Sequence, residues 1–198
     1  MRPFRSTAFI AAMFATTFTS PVTAQDVDAE TQAYLASLEE TLGGKLMNDP
    51  TTLDFETYGE ADFKTKQVSS AEAPGGAAYR VTIKSPGKNP WDAAVQMELS
   101  EGVAVGDSIS VAFYARAAKT PKGSDTGYLT ARMQKKTEPY TGIVEQGFEV
   151  GEAWELYEIK GTSQNTFDAD AINLGWNVGD RKQTIEIGQV FVVNHTAK

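Results

Sequence analysis

The chain has no cysteine and one histidine, His195. The first absence excludes disulfides and thiolate-bound metals. The second leaves a lone imidazole in a C-terminal tail expected to fray. No Ser/His/Asp set, cysteine nucleophile or histidine-rich metal cluster can be assembled from it. Basic runs are also missing: 18 Lys and Arg stand against 26 Asp and Glu, a net charge of −8. Nucleic acid is therefore not an expected partner; this charge suits solubility or calcium binding.

Long apolar runs are confined to the beginning. Arg2 and Arg5 precede "STAFIAAMFATTF", and "PVTA" puts Val22 and Ala24 at the −3 and −1 positions of a small-residue cleavage site. Residues 1–24 read as a secretory signal peptide, too short and too weakly apolar to span a bilayer. A secreted or periplasmic location without a membrane span is expected. Removing them takes away two arginines and no acid, leaving 16 basic and 26 acidic residues and a net charge of −10. What remains is enough for one domain with a substantial core.

One segment has helical texture. In residues 25–44, Ala33, Leu35, Leu38 and Leu42 keep roughly helical spacing, acids crowd the start, and Gly43-Gly44 ends it. From Lys45 to Lys198 short alternating stretches recur between turn clusters such as "SPGKNP" and "KTPKGSDTG". Eight candidate strands without intervening helices predict an all-β fold, an antiparallel β-sandwich of jelly-roll, galactose-binding-like type. There is no internal repeat and no sign of a second domain.

Strand parity sorts the side chains. In "NPWDAAVQMEL", Ala93, Val95, Met97 and Leu99 share one face and Gln96 the other. In "DSISVAFYARA", Tyr114 and Arg116 oppose Ile109, Val111 and Phe113. In "YLTARMQK", Arg132 and Gln134 oppose Leu129, Ala131 and Met133. In "AINLGWNVG", Asn173 and Asn177 oppose Ile172, Leu174 and Trp176. Amide and guanidinium groups are planar, multidentate partners for paired sugar hydroxyls, and exposed rings can cover the apolar face of a pyranose. Gln96, Tyr114, Arg116, Arg132, Gln134, Asn173 and Asn177 are thus candidate ligand contacts. The plain alternative is a polar cover on a half-solvated sheet. Trp176 reads as core and Trp154 as a core or hinge aromatic. Trp91, at a strand mouth after Pro90, either caps the core or walls a groove.

The order "NPWDAAVQMEL", "GDSISVAFYARAA", "LTARMQ", "AWELYEIKGT", "INLGWNVGDRKQTIEIGQVFVVN" resembles the carbohydrate-binding modules of families 4 and 9, jelly rolls often attached to xylanases and cellulases. "LMNDPTTLDFETYG" is similar to the opening strand of that family, and the likeness covers about residues 45–194. The resemblance implies non-catalytic binding of β-glucan- or xylan-type polysaccharide in a concave cleft. It also implies, in many members, a structural calcium held by oxygens of the first and last strands. Glu56 matches the opening acidic position, whereas Gly188 stands where such modules commonly carry an aspartate. With no catalytic domain in the chain, the resemblance implies a free-standing binder or one that assists a separate glycoside hydrolase. Two other classes stay open: a glycoside hydrolase or polysaccharide lyase domain on a sandwich, and a structural or protein-binding domain of the cell envelope.

Overall fold

Strands with one apolar face need a second layer to bury it, and here that layer is another sheet. The computed structural model describes residues 24–197. The expected leader lies outside the described residues except for Ala24, where helix α1 (Ala24–Leu42) begins. Then come β1 (Lys45–Leu46), β2 (Glu56–Tyr58), β3 (Asp62–Ser69), β4 (Ala77–Ser85), β5 (Ala94–Glu98) and β6 (Ser108–Lys119). They are followed by β7 (Gly127–Lys135), β8 (Gly142–Val150), β9 (Glu155–Thr162), β10 (Ile172–Asn177) and β11 (Thr184–Asn194).

A six-stranded sheet runs β3-β4-β11-β6-β9, with β1 paired to the end of β11. A five-stranded sheet runs β2-β5-β10-β7-β8. Every pairing is antiparallel. The chain is an all-β, antiparallel jelly-roll sandwich, with eleven strands among the described residues rather than the eight read from the alternation.

The predicted apolar faces meet between the sheets. From the five-stranded sheet come Val95, Met97, Leu129, Ala131, Met133, Leu174 and Trp176; from the other come Val81, Ile83, Val111, Phe113, Ile185 and Ile187, all buried. Aromatic rings join the layers. Trp176 meets Phe55 and Phe113 edge-on at centroid distances of 5.4 and 5.6 Å, and Phe113 stacks on Tyr157 at 5.8 Å. Burying one face fixes register, because a one-residue slip would turn every apolar side chain to water. Each strand's other face is thereby fixed outward.

Helix α1 uses only part of its expected stripe: Leu35 and Leu38 are half-buried, while Ala33 and Leu42 are exposed. Gly43, at φ 70°, closes it by donating to Glu39 O at 2.9 Å. His195 departs from the expected frayed tail. Its Nε2 lies 2.8 Å from Ser110 Oγ and its Nδ1 3.1 Å from Gly43 O, which ties the end of β11 to the end of the helix. Trp154 is not in the core either; it lies half-buried just before β9 with the Arg116 guanidinium over its ring.

Candidate functional site

The outer face of the five-stranded sheet carries three cross-strand rows. The middle row is Glu56, Gln96, Gly175, Arg132 and Glu145 on β2, β5, β10, β7 and β8. On one side lie Glu98, Asn173, Gln134 and Gly142; on the other lie Tyr58, Ala94, Asn177, Thr130 and Gly147. Gly175 in the middle row and Ala94 beside it bring no long side chain to these rows. The result is a groove of about 650 Å³ lined by Tyr58, Trp91, Gln96, Arg132, Gln134, Lys136, Pro139, Tyr140, Asn173 and Asn177. That volume lies within the roughly 300–1,000 Å³ of small-ligand sites.

Six of the eight residues proposed from sequence meet here: Trp91, Gln96, Arg132, Gln134, Asn173 and Asn177. Tyr114 and Arg116 do not. They lie on β6, which pairs with β11 and β9, so they face out from the opposite sheet. Parity was the same; sheet membership was not. Tyr58, Lys136, Pro139 and Tyr140 complete the lining without having been singled out.

Two aromatic side chains stand at the groove with much of their surface in solvent, Trp91 at 54% and Tyr140 at 47%. Trp91 is held by its turn. Gly179 N–H donates to Pro90 O and Val178 N–H to Ala93 O. A Cβ at Gly179 would lie 2.6 Å from Ala93 N, so only glycine permits this approach. Tyr140 has φ 52°, in the left-handed region that non-glycine residues seldom adopt. Its carbonyl accepts from Arg132 Nη2 at 2.5 Å and its N–H donates to Thr137 O at 2.9 Å. Arg132 therefore braces the loop that presents Tyr140.

Asp92 closes the Trp91 turn, its Oδ2 accepting from the N–H groups of Lys88 at 2.7 Å and Asn89 at 3.1 Å. The Asn89 bond, then that of Lys88, holds this carboxyl below its ordinary value despite opposing desolvation. A depressed folded value means the stabilisation is present at neutral pH and lost as pH falls through that value. In an acid titration the Trp91 indole resonance is expected to move only at pH below the ordinary carboxylate range, and Asp92→Asn is expected to remove that movement. A Trp91 resonance that titrates identically in the variant contradicts this.

The floor is a directed hydrogen-bond chain. Glu56 Oε2 accepts from Gln96 Nε2 at 3.1 Å, and Gln96 Oε1 accepts from Asn173 Nδ2 at 2.7 Å. A carboxylate can only accept here, so it fixes which way the Gln96 amide points, and Gln96 in turn fixes Asn173. Asn173 is only 4% exposed, and its Oδ1 is left without a partner. A buried acceptor in this state favours any donor that reaches it. The Glu56→Gln variant lets both amides rotate. Its Gln96 and Asn173 side-chain amide resonances are expected to broaden or double, whereas single sharp sets like the wild type's would contradict the relay.

Three further lining side chains have partners. Tyr58 donates to Asn177 Oδ1 at 3.1 Å; burial pushes its phenol above the ordinary value, with Arg132 pulling the other way, so it stays a neutral donor. Lys136 is ion-paired with Glu98. Arg132 Nε lies 3.1 Å from Glu145 Oε2, close enough for an ion pair but not aligned as a hydrogen bond. Each cation in the lining thus has a carboxylate beside it.

The calcium expectation does not fit these positions. Glu56 is on the groove face of the five-stranded sheet, bonded to Gln96. Gly188 lies on β11 of the other sheet, where a Cβ would sit 3.3 Å from the Trp154 ring and 3.4 Å from Tyr114. The two do not converge on one ion. Among the described residues no group of three or more His, Asp or Glu is placed to hold a metal.

No protein-family profile matches the chain, and comparison with curated proteins returns no match. Solved structures do share its fold, and carbohydrate-binding modules are prominent among them. One described as a family 4 carbohydrate-binding module superposes with a TM-score of 0.55 at 15% identity, covering 74% of this chain and 89% of its own. A family 22 xylan-binding domain of Paenibacillus barcinonensis Xyn10C gives 0.55 at 11% identity, over 79% and 98%. The N-terminal cellulose-binding domain of Cellulomonas fimi β-1,4-glucanase C gives 0.50 at 12% identity, over 71% and 88%. At these identities the likeness is one of fold. None of the helices among the described residues is long and apolar enough to cross a membrane.

Proposed function

We propose that this protein is a secreted, non-catalytic glycan-binding module that holds a β-glucan- or xylan-type chain along the groove of its five-stranded sheet. The observation that carries this reading is the convergence of four primary amides, two of them linked in a relay from Glu56, beside two exposed aromatic rings. Gln96, Asn173 and Asn177 present donors and acceptors of fixed direction, Gln134 and Arg132 extend them, and Trp91 and Tyr140 offer ring faces to sugar C–H surfaces. Neutral polysaccharide is favoured because Arg132 and Lys136 are already matched by Glu145 and Glu98. The fold neighbours named for xylan and cellulose binding agree with this class of ligand.

A hydrolase would need a carboxyl pair free to act as acid and base at a suitable separation. Glu56 anchors Gln96, Glu98 is paired with Lys136 and Glu145 lies beside Arg132, so the acids on the groove face are engaged in positioning. A separate glycoside hydrolase is a fitting companion for such a module. Affinity electrophoresis in gels containing xylan, mixed-linkage β-glucan or laminarin tests the reading. Retarded migration in xylan or β-glucan, without release of reducing ends from either, is expected. Unretarded migration in all three overturns it, and reducing-end release would replace it with the hydrolase.

A further inference from the structure

The opposite face of the sandwich has a different chemistry. Register sets Lys66, Arg80, Glu186 and Arg116 in one row across β3, β4, β11 and β6. Beside it runs a second row of Lys64, Thr82, Thr184 and Lys119. Their strand neighbours Val81, Ile83, Ile185 and Ile187 point into the core, so these rows face out. Within these two rows five cations stand with one acid, and a second carboxylate, Glu72, reaches in from the turn between β3 and β4. The acid within the rows, Glu186, is 0% exposed and shared: Arg80 Nε donates to one oxygen at 2.6 Å and Arg116 Nε to the other at 2.7 Å. Glu186 and Glu72 offset the two guanidiniums, whereas Lys64, Lys66 and Lys119 form no ion pair among the described residues. A chain of net charge −8 therefore keeps a cationic strip on one sheet.

We propose that this strip is a second binding surface, separate from the groove, for a linear carboxylate-bearing glycan such as a polyuronate. Three features select that chemistry. Both guanidiniums are held in place, each by Glu186 and Arg116 also by the Trp154 ring 5.1 Å beneath it, so little freedom is lost when an anion docks. A carboxylate already occupies the outer end of one of them. Glu72, whose side chain is 77% exposed, reaches Arg116 Nη1 at 3.1 Å and occupies the place a ligand's carboxylate would take. The strip is also extended rather than a pocket. Lys64 and Lys66 are about 7 Å apart along β3, and adjacent strands are about 4.8 Å apart, spacings of the order separating carboxylates on successive uronic acids. The half-buried Thr82 hydroxyl between the lysines adds a partner for sugar hydroxyls. Binding is multipoint and weakened by salt.

The test is affinity electrophoresis of the folded chain at low ionic strength in gels containing polygalacturonate. Retardation of the wild type is expected, diminishing toward about 0.15 M salt, where charges more than about 8 Å apart are screened. Lys64→Glu with Lys66→Glu is expected to remove most of it. Lys122→Glu with Lys160→Glu, of equal net charge, is expected to retain it. Glu72→Gln is expected to strengthen it, because the competing carboxylate is gone. Trp91→Ala is expected to leave it intact, which separates this surface from the groove. An unretarded wild type overturns the proposal, as does equal loss in both double variants. Binding to phosphatidylglycerol-containing vesicles with no retardation by polygalacturonate overturns it as well, by assigning the strip to anionic lipid.

Discussion

Replacing Trp91 by alanine is expected to lower glycan affinity roughly 30-fold, equivalent to about 2 kcal/mol, while leaving the melting temperature within about 2 °C of wild type. The two halves of this expectation have different origins. Trp91 is 54% exposed and stands outside the buried core cluster, so removing it opens no cavity. Its turn is fixed by backbone bonds and by Asp92, none of which involves the indole, so the rest of the groove keeps its shape. What is lost is one wall of the groove and the apolar surface it offers a sugar ring, at about 25 cal/mol per Å² of contact plus the aromatic contribution. Titration calorimetry against the polysaccharide that retards the protein gives the affinity, and thermal unfolding gives the control. Unchanged affinity in a folded variant contradicts the placing of the wall.

Phe113→Ala is expected to be the most destabilising of the simple truncations considered, by about 3–5 kcal/mol. Phe113 is fully buried on β6 and touches both layers: Phe148 at 5.8 Å and Trp176 at 5.6 Å from the five-stranded sheet, Tyr157 at 5.8 Å from its own. Those neighbours are themselves rings on separate strands, so the void has no single side chain able to fill it. For a chain of this size each kcal/mol moves the melting temperature by about 2–4 °C, giving a fall of roughly 6–20 °C. Leu156→Ala, at an exposed position on β9, is the matched control and is expected to stay within about 0.5 kcal/mol of wild type. A fall of under 5 °C for Phe113→Ala would mean that the aromatic cluster does not join the sheets as described.

Phe113 and Gln96 mark what is legible in the sequence. Period-2 alternation placed Phe113 inward and Gln96 outward, because burial of one face is a local property of a strand. It could not say which strands share a sheet. β10 lies between β5 and β7, and this pairing brings Asn173 beside Gln96, 77 residues away. β6 has the same alternating texture, yet its partners are β11 and β9, which sends Tyr114 and Arg116 to the far face.

Other misses have local causes. β3, "DFKTKQVS", shows little apolar alternation because an edge strand covered on one side needs few apolar residues, and only Phe63 packs against the core cluster from it. Tyr58 belongs to a three-residue strand, where alternation has almost no length over which to appear, although Glu56 and Tyr58 sharing parity was a usable signal. Tyr140 is in a turn at positive φ, a geometry that no periodicity announces. Trp91 was ambiguous because its parity with Val95 suggested the core. The single-turn segment Pro90–Asp92 breaks that parity before the strand begins.

The proposed site holds sugar on the amide floor and against the aromatic walls of the five-stranded sheet. Titration of the isotope-labelled protein with xylohexaose and cellohexaose, followed by proton–nitrogen correlation spectra, tests it most directly. At least one of them is expected to shift the Trp91 indole and the side-chain amides of Gln96, Gln134, Asn173 and Asn177, leaving Arg80, Arg116 and Lys66 unmoved. Spectra unchanged by both oligosaccharides, or shifts clustered away from these five side chains, would contradict it.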